Sequence, residues 1–355
     1  MLFETRSCRI ATGRQAVSLI THTKEWVAYC IVSDNAWVVS VVPAAPSQTV
    51  ARVLLASGHP MLPPLCDVVA LDTSPDGDVL AITTCVGGIW LFSLGEAGVH
   101  LNTTFPRGMR SFMPKTTVFA GGFVGHCDSK LAFAVHYSNA EAEELVCTLG
   151  DVACPKPTTV KVLQAAAGQI SKFAVNTNYI AMYVSAAAQR LYLLRIENGE
   201  YRCSKASMHF DGRHVLPLEL VVSARGTLAL SYHVPEINAS MVDVFDARLA
   251  RTAAIRYTGM ARCVGVRSTM LVVVDEHREA VVLHNCRREL DVELKSGNGF
   301  GRSCASIGDR SVAFACTLTD ESRLFVSAAR SEARRKRGLD APPDDPLGSP
   351  LGDDT

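Results

Sequence analysis

Val68–Leu94, VVALDTSPDGDVLAITTCVGGIWLFSL, reads as three strands in one short window. Val68–Thr73 is apolar and β-branched, Ser74-Pro75-Asp76-Gly77 is a turn, Val79–Thr84 is a second strand, Gly87-Gly88 turns the chain again, and Ile89–Leu94 is a third. Pro75 presets φ for a turn and Gly77 supplies the backbone freedom that closes a hairpin. An antiparallel meander follows, because connections this short cannot cross over to a parallel partner.

Working outward, the same order of apolar strand, polar turn, apolar strand, loop and strand recurs to give seven units. Before this window lie Trp26–Val32 and Trp37–Val42; after it come Val118 through Leu131–Val135 to Leu145–Leu149. The fourth unit is Ile170–Val175, Tyr179–Val184 and Leu191–Ile196, and the fifth is Leu218–Val222, Leu228–Tyr232 and Met241–Phe245. Cys263–Val266, Met270–Val274 and Ala280–His284 form the sixth, and Cys304–Ile307, Val312–Cys316 and Leu324–Ser327 the seventh. Second strands are spaced by roughly 40 to 50 residues, the period of propeller blades. A sheet apolar on both faces is stable only between neighbours, and a circle leaves no terminal face uncovered. The expected fold is all-β: a single seven-bladed β-propeller over residues 1–330, with Leu2–Ile10 pairing with the last blade. Residues 331–355, rich in Pro, Asp and Gly, are expected to be a disordered charged tail.

The residues that carry this reading resemble the WD40 repeat family. Ser74-Pro75-Asp76-Gly77, Val79-Leu80-Ala81 and Ile89–Leu94 look like the middle and end of such a repeat. Val242-Asp243-Val244-Phe245-Asp246-Ala247-Arg248 is similar to its terminal strand, with Phe245-Asp246 where Trp-Asp is usual. The resemblance runs from about Leu19 to Arg330 through spacing and strand pattern; Gly-His pairs occur at Gly58-His59 and Gly125-His126, and no Trp-Asp pair is present. It implies a WD40-like propeller that binds other proteins.

Composition narrows the function. The 355 residues are 48% hydrophobic and carry 35 basic against 35 acidic residues, so the bulk folds and no global field draws it to nucleic acid or anionic lipid. Direct nucleic-acid binding is not expected. Met1–Ile10 lacks the apolar run of a signal peptide, and no window approaches the roughly 18 apolar residues of a membrane-spanning helix. The 12 cysteines are scattered, with no C-x-x-C spacing, and read as free thiols in the cytoplasm or nucleus.

Sites of chemistry are sparse. His126-Cys127 and His284-x-Cys286 each offer two ligands, too few for a metal site. No G-x-S-x-G elbow is present. Gly297–Gly301 and Gly121–Gly125 read as turns rather than phosphate cradles, and Glu141, Glu143 and Glu144 as a wet loop between strands. No catalytic residue, cofactor or metal is expected.

The leading expectation is a non-enzymatic scaffold that holds peptides or subunits of a multiprotein complex on its rim loops. Arg107, Arg110, Phe112 and Arg213 are the partner-binding candidates, because exposed Arg and aromatic residues dominate interfaces. A second reading is a phosphoinositide-binding effector in membrane trafficking or autophagy. Propellers of that kind carry Phe-Arg-Arg-Gly, which Phe105-Pro106-Arg107-Gly108 and Arg287-Arg288 match only in part. The third is a propeller-type hydrolase with Asp76, Asp128, Asp246 and Asp309 in equivalent turns. Arg334, Arg335, Lys336 and Arg337 have the composition of a nuclear-import signal or of a solubilising linker.

Overall fold

The computed structural model describes residues 3–12, 15–33, 36–44, 51–60, 62, 66–74, 76–86, 88–95, 98–105, 117–127, 130–138, 142–149, 158–166, 170–176, 178–185, 189–197, 200–296, 303–307, 311–317 and 321–329. Among them are strands, one 3-10 turn at Pro235–Ile237 and no α-helix. After β1 (Phe3–Thr12), the first sheet is β2 (Ala16–His22), β3 (Trp26–Ser33), β4 (Ala36–Pro43) and β5 (Arg52–Ala56). The second is β6 (Val68–Thr73), β7 (Val79–Thr84), β8 (Ile89–Gly95) and β9 (Gly98–Phe105). The third is β10 (Thr117–Cys127), β11 (Lys130–Ser138), β12 (Ala142–Leu149) and β13 (Thr158–Ala166). The fourth is β14 (Ile170–Asn176), β15 (Tyr179–Val184), β16 (Arg190–Glu197) and β17 (Glu200–Ser207). The fifth is β18 (Leu216–Val222), β19 (Leu228–Val234), β20 (Ala239–Phe245) and β21 (Arg251–Thr258). The sixth is β22 (Ala261–Arg267), β23 (Met270–Asp275), β24 (Ala280–Asn285) and β25 (Leu290–Ser296). β26 (Ser303–Ile307), β27 (Ser311–Thr317) and β28 (Glu321–Ala329) form the last sheet, completed by β1.

Burial peaks in the middle strands of the sheets, and the sequence explains why. Every residue of β15 and β19 is buried; β15 is an unbroken apolar run, and β19 is apolar except for Ser231 and His233. β6, a first strand, is half-buried along its length, and β21, a fourth strand, alternates between exposed and covered positions. Polar composition hides these outer strands from a search for apolar runs, so only three strands per unit are read directly from the sequence.

The core lies between sheets. Trp37, Val39 and Val41 of the first sheet pack with Leu80, Ile82, Trp90 and Phe92 of the second. Tyr183, Leu191 and Leu193 pack with Leu228, Leu230 and Tyr232 in the same way across the fourth and fifth. Val17, Val27 and Tyr29 of the first sheet share a cluster with Ala313, Ala315 and Leu324 of the last. First strands meet in cyclic order, β2 on β6, β6 on β10, then β14, β18, β22 and β26, which returns to β2. β1 runs antiparallel to β28 from Phe3 opposite Ala329 to Thr12 opposite Glu321, so the N-terminal strand does complete the last sheet.

The first strands carry a repeated irregularity. Register shifts fall at Val17/Leu19, Val68/Ala70, Val118/Ala120, Ile170/Lys172, Pro217/Glu219 and Cys263/Gly265. A bulge bends its strand and strengthens its twist, here in the first strands of six of the seven sheets; β26 pairs with β27 in unbroken register.

Two expectations are corrected. Gly121–Gly125 is not a turn but part of β10, and Glu143 and Glu144 lie in β12 rather than in a loop. The glycines serve the convergence: a Cβ on Gly122 would stand 2.9 Å from Asp72 Oδ2 and 3.0 Å from Val175 Cβ. The expected turn at Ser74–Gly77 is present, with Gly77 at φ +85° and its N–H donating to the Ser74 carbonyl at 2.9 Å. Ser223–Gly226 repeats it, with Gly226 N–H on the Ser223 carbonyl.

Gly122→Ala presses its methyl group on the Asp72 carboxylate and the Val175 side chain and is expected to cost roughly 1–3 kcal/mol. The readout is a lower urea midpoint at unchanged m-value. An unmoved midpoint would contradict the close approach.

Candidate interaction rim

An antiparallel meander sends its turns alternately to two rims. Connections from second to third strands, and from the fourth strand to the next sheet's first, share one rim; the remaining turns share the other. Arg213 stands on the first rim, in the connection from β17 to β18. Arg107, Arg110 and Phe112 belong by chain order to the corresponding connection from β9 to β10, and they lie outside the described residues, as do Arg334, Arg335, Lys336 and Arg337.

The described connection is well anchored. Met208 N–H donates to the Gln189 carbonyl at 2.9 Å, and Arg213 N–H to the Phe210 carbonyl at 2.9 Å. Asp211 (φ 50°) and Gly212 (φ 73°) make the bend between them. Phe210 meets Tyr232 edge to face, ring centroids 4.8 Å apart, while Met208 packs on the same inter-sheet core. His214 N–H donates to Glu236 Oε1 at 3.1 Å, joining this connection to the β19–β20 turn. A groove of about 590 Å³ opens here, lined by Gln189, Ser207 and Met208–Gly212. Arg213 and His214 are exposed beside it, and Leu216 and Ile237 keep 44% and 38% of their surface in solvent. Sequence reading found Arg213 and missed Leu216 and Ile237, because a single apolar residue at a strand end or in a turn carries no sign of its exposure.

Beneath the groove, Tyr232 donates its hydroxyl to Asp243 Oδ2 at 3.1 Å, and Arg251 Nη1 is 3.6 Å from the same oxygen. Burial raises the Asp243 carboxyl, and Arg251 and Tyr232 oppose the shift. This arrangement supports Phe210 from below.

The first strands place charge along the inner wall. Burial raises the Glu219 carboxyl on β18, and the charges of Lys172 on β14 and Arg262 on β22 oppose the shift. Arg262 also pairs with Glu276 at 3.2 Å. Asp72 on β6 accepts the Phe123 N–H at 2.7 Å and the Thr73 N–H at 2.9 Å, yet desolvation still lifts its carboxyl to about 7.

The opposite rim spends its polar groups on turns. Asp246 Oδ1 accepts the N–H groups of Arg248 and Ala250, at 2.8 and 3.0 Å. Asp76 Oδ1 takes the Ser74 hydroxyl and the Asp78 N–H. Asp76 follows a first strand and Asp246 a third, so these turns are not equivalent; Asp128 and Asp309 lie outside the described residues. Asn285 Oδ1 accepts the N–H groups of Arg287 and Arg288, both exposed. His284 pairs through Nδ1 with Asp291 at 2.7 Å, and among the described residues no group of three His, Cys, Asp or Glu is arranged to hold a metal ion.

No family model matches the sequence, and no curated protein matches it significantly. Solved structures match in shape. The AfRom2 CNH domain superposes at a TM-score of 0.56 with 11% identity, covering 92% of this chain and 100% of that one. A catalytically inactive virginiamycin B lyase from Staphylococcus aureus, bound to quinupristin, gives 0.58 with 10% identity over 91% and 99%. Prolyl oligopeptidase B from Galerina marginata gives 0.53 with 9% identity, over 86% of this chain and 47% of that one. Likeness at these identities shows the fold, which is that of a β-propeller.

The raised Asp72 carboxyl fixes the sign of a pH effect. Its contribution to stability is complete below the unfolded value near 4 and is lost as pH rises to about 7. Relative to wild type, Asp72→Asn should gain on the order of 2 kcal/mol between pH 4 and pH 8, less than full linkage because the side chain is only part-buried. Parallel melting curves across that range would refute the assignment.

Proposed function

We propose that this chain is a non-enzymatic scaffold: a seven-bladed, WD40-like propeller that binds peptides or subunits of a multiprotein complex on the rim carrying Arg213. The observation that supports the reading is the juxtaposition of exposed Leu216 and Ile237 with a groove floored by Phe210 and flanked by Arg213. Apolar area beside an Arg and an aromatic is the composition of an interface centre, whereas isolated exposed apolar residues carry no such meaning. The seven sheets are read as seven blades. The turns at Ser74–Gly77 and Ser223–Gly226, together with His59 standing edge-on to Trp90 at 5.2 Å, support the WD40-like part. Rigidity is the mechanism. Loops held by hydrogen bonds to neighbouring turns present their side chains without a large ordering cost on binding. Free thiols at Cys30, Cys66, Cys85, Cys203, Cys263 and Cys286 support residence in the cytoplasm or nucleus.

The test compares proteins captured from native extract by wild type, by Leu216→Asp/Ile237→Asp, by Arg213→Ala, and by Arg287→Ala/Arg288→Ala on the opposite rim. The Leu216/Ile237 variant should lose its partners by at least about tenfold and Arg213→Ala should weaken them, with melting temperature unchanged. The opposite-rim variant should behave as wild type. Loss confined to Arg287→Ala/Arg288→Ala, or no loss in any variant, would overturn the proposal.

A further inference from the structure

Two thiols meet where the connection into β6 reaches the turn after β7. Cys66 is 5% exposed, and burial, then the neighbouring Cys85 thiol, push its own thiol up. Cys85 is half-buried. Its Sγ accepts the Asp67 N–H at 3.3 Å, and its own N–H donates to the Asp67 carbonyl at 2.9 Å. Backbone bonds therefore hold the two segments together while both sulphurs remain reduced. Of the other described thiols, Cys263 directs its Sγ to the Gly265 carbonyl at 3.4 Å, and Cys203 lies on exposed β17.

We propose that Cys66 and Cys85 form a reversible disulfide, with a low-molecular-weight disulfide such as oxidised glutathione as the oxidant. The Cys85 thiolate, the more accessible, attacks one sulphur of the oxidant, breaks its S–S bond and releases one small thiolate. The Cys66 thiolate then attacks Cys85 Sγ, breaks the mixed disulfide and releases the second. Two electrons pass from the cysteine pair to the oxidant, and the two cysteine protons end on the two small thiols. Burial holds the Cys66 thiol at about 11, which makes the closing step slow near neutrality and faster in base.

The bond would staple one rim segment to another. The Cys66 carbonyl already accepts Trp37 Nε1–H at 2.6 Å, so this end of the connection is tied to the first sheet as well. Oxidation adds a covalent link between that anchored segment and the β7–β8 turn. The proposal is independent of which rim docks a partner.

The full-length protein is treated with oxidised glutathione at several pH values between about 7 and 9, its remaining thiols are alkylated, and it is mapped by mass spectrometry. The expected product is a Cys66–Cys85 cross-linked peptide, lighter by two hydrogens, formed faster as pH rises and reversed by dithiothreitol. Cys66→Ser should stop at the mixed disulfide on Cys85, and Cys85→Ser should give no cross-link to Cys66. Both cysteines alkylated after oxidation, a mixed disulfide that persists in wild type, or cross-links confined to other cysteines would each overturn the proposal.

Discussion

Apolar side chains on both faces of a thin sheet must be covered on both faces, and this constraint governs the molecule. β15, β19, β23 and β24 supply that two-sided character, each buried along nearly all its length. A lone sheet of this kind would leave a whole face in water, at about 25 cal/mol for each Å² exposed. Packing sheet on sheet only moves the problem to the ends of the row. Val17, Val27 and Tyr29 of the first sheet share one cluster with Ala313, Ala315 and Leu324 of the last, so each covers part of the other.

Convergence at the inner strands sets the secondary features. The Asp72 and Val175 side chains come close enough that Gly122 has no room for a methyl group, and the Asp72 carboxylate reaches across to the Phe123 N–H. Bulges repeat near the start of the first strands of six sheets, where each increases the local twist. At the outer edge, β17 and β21 are largely exposed and rich in polar residues. The rims inherit rigidity from this arrangement: the connection bearing Arg213 is held by Gln189, Tyr232 and Glu236, which belong to two different sheets.

Much of this is legible in the sequence, and its limits have physical causes. Second and third strands announce themselves because burial on both faces demands unbroken apolar runs such as Tyr179–Val184 and Met270–Val274. Fourth strands such as Glu200–Ser207 do not, since an exposed edge accepts Arg202, Cys203, Ser204 and Lys205 in succession. Gly121–Gly125 has the composition of a turn and serves as a strand, because close approach between first strands selects glycine for size rather than for φ. Glu143 and Glu144 mislead in the same way, acidic residues tolerated within a third strand. The rim was legible only in part. Arg213 is visible as a cation in a loop, while the exposure of Leu216 and Ile237 is a property of how two connections meet.

Hydrogen exchange of the native protein, followed by mass spectrometry, tests the closed packing most directly. If each sheet depends on both neighbours, β3, β15, β19, β23 and β27 should exchange at one common opening free energy, that of global unfolding. Separate openings, with β3 and β27 exchanging far more readily than β15 and β19, would mean that the first and last sheets do not seal each other.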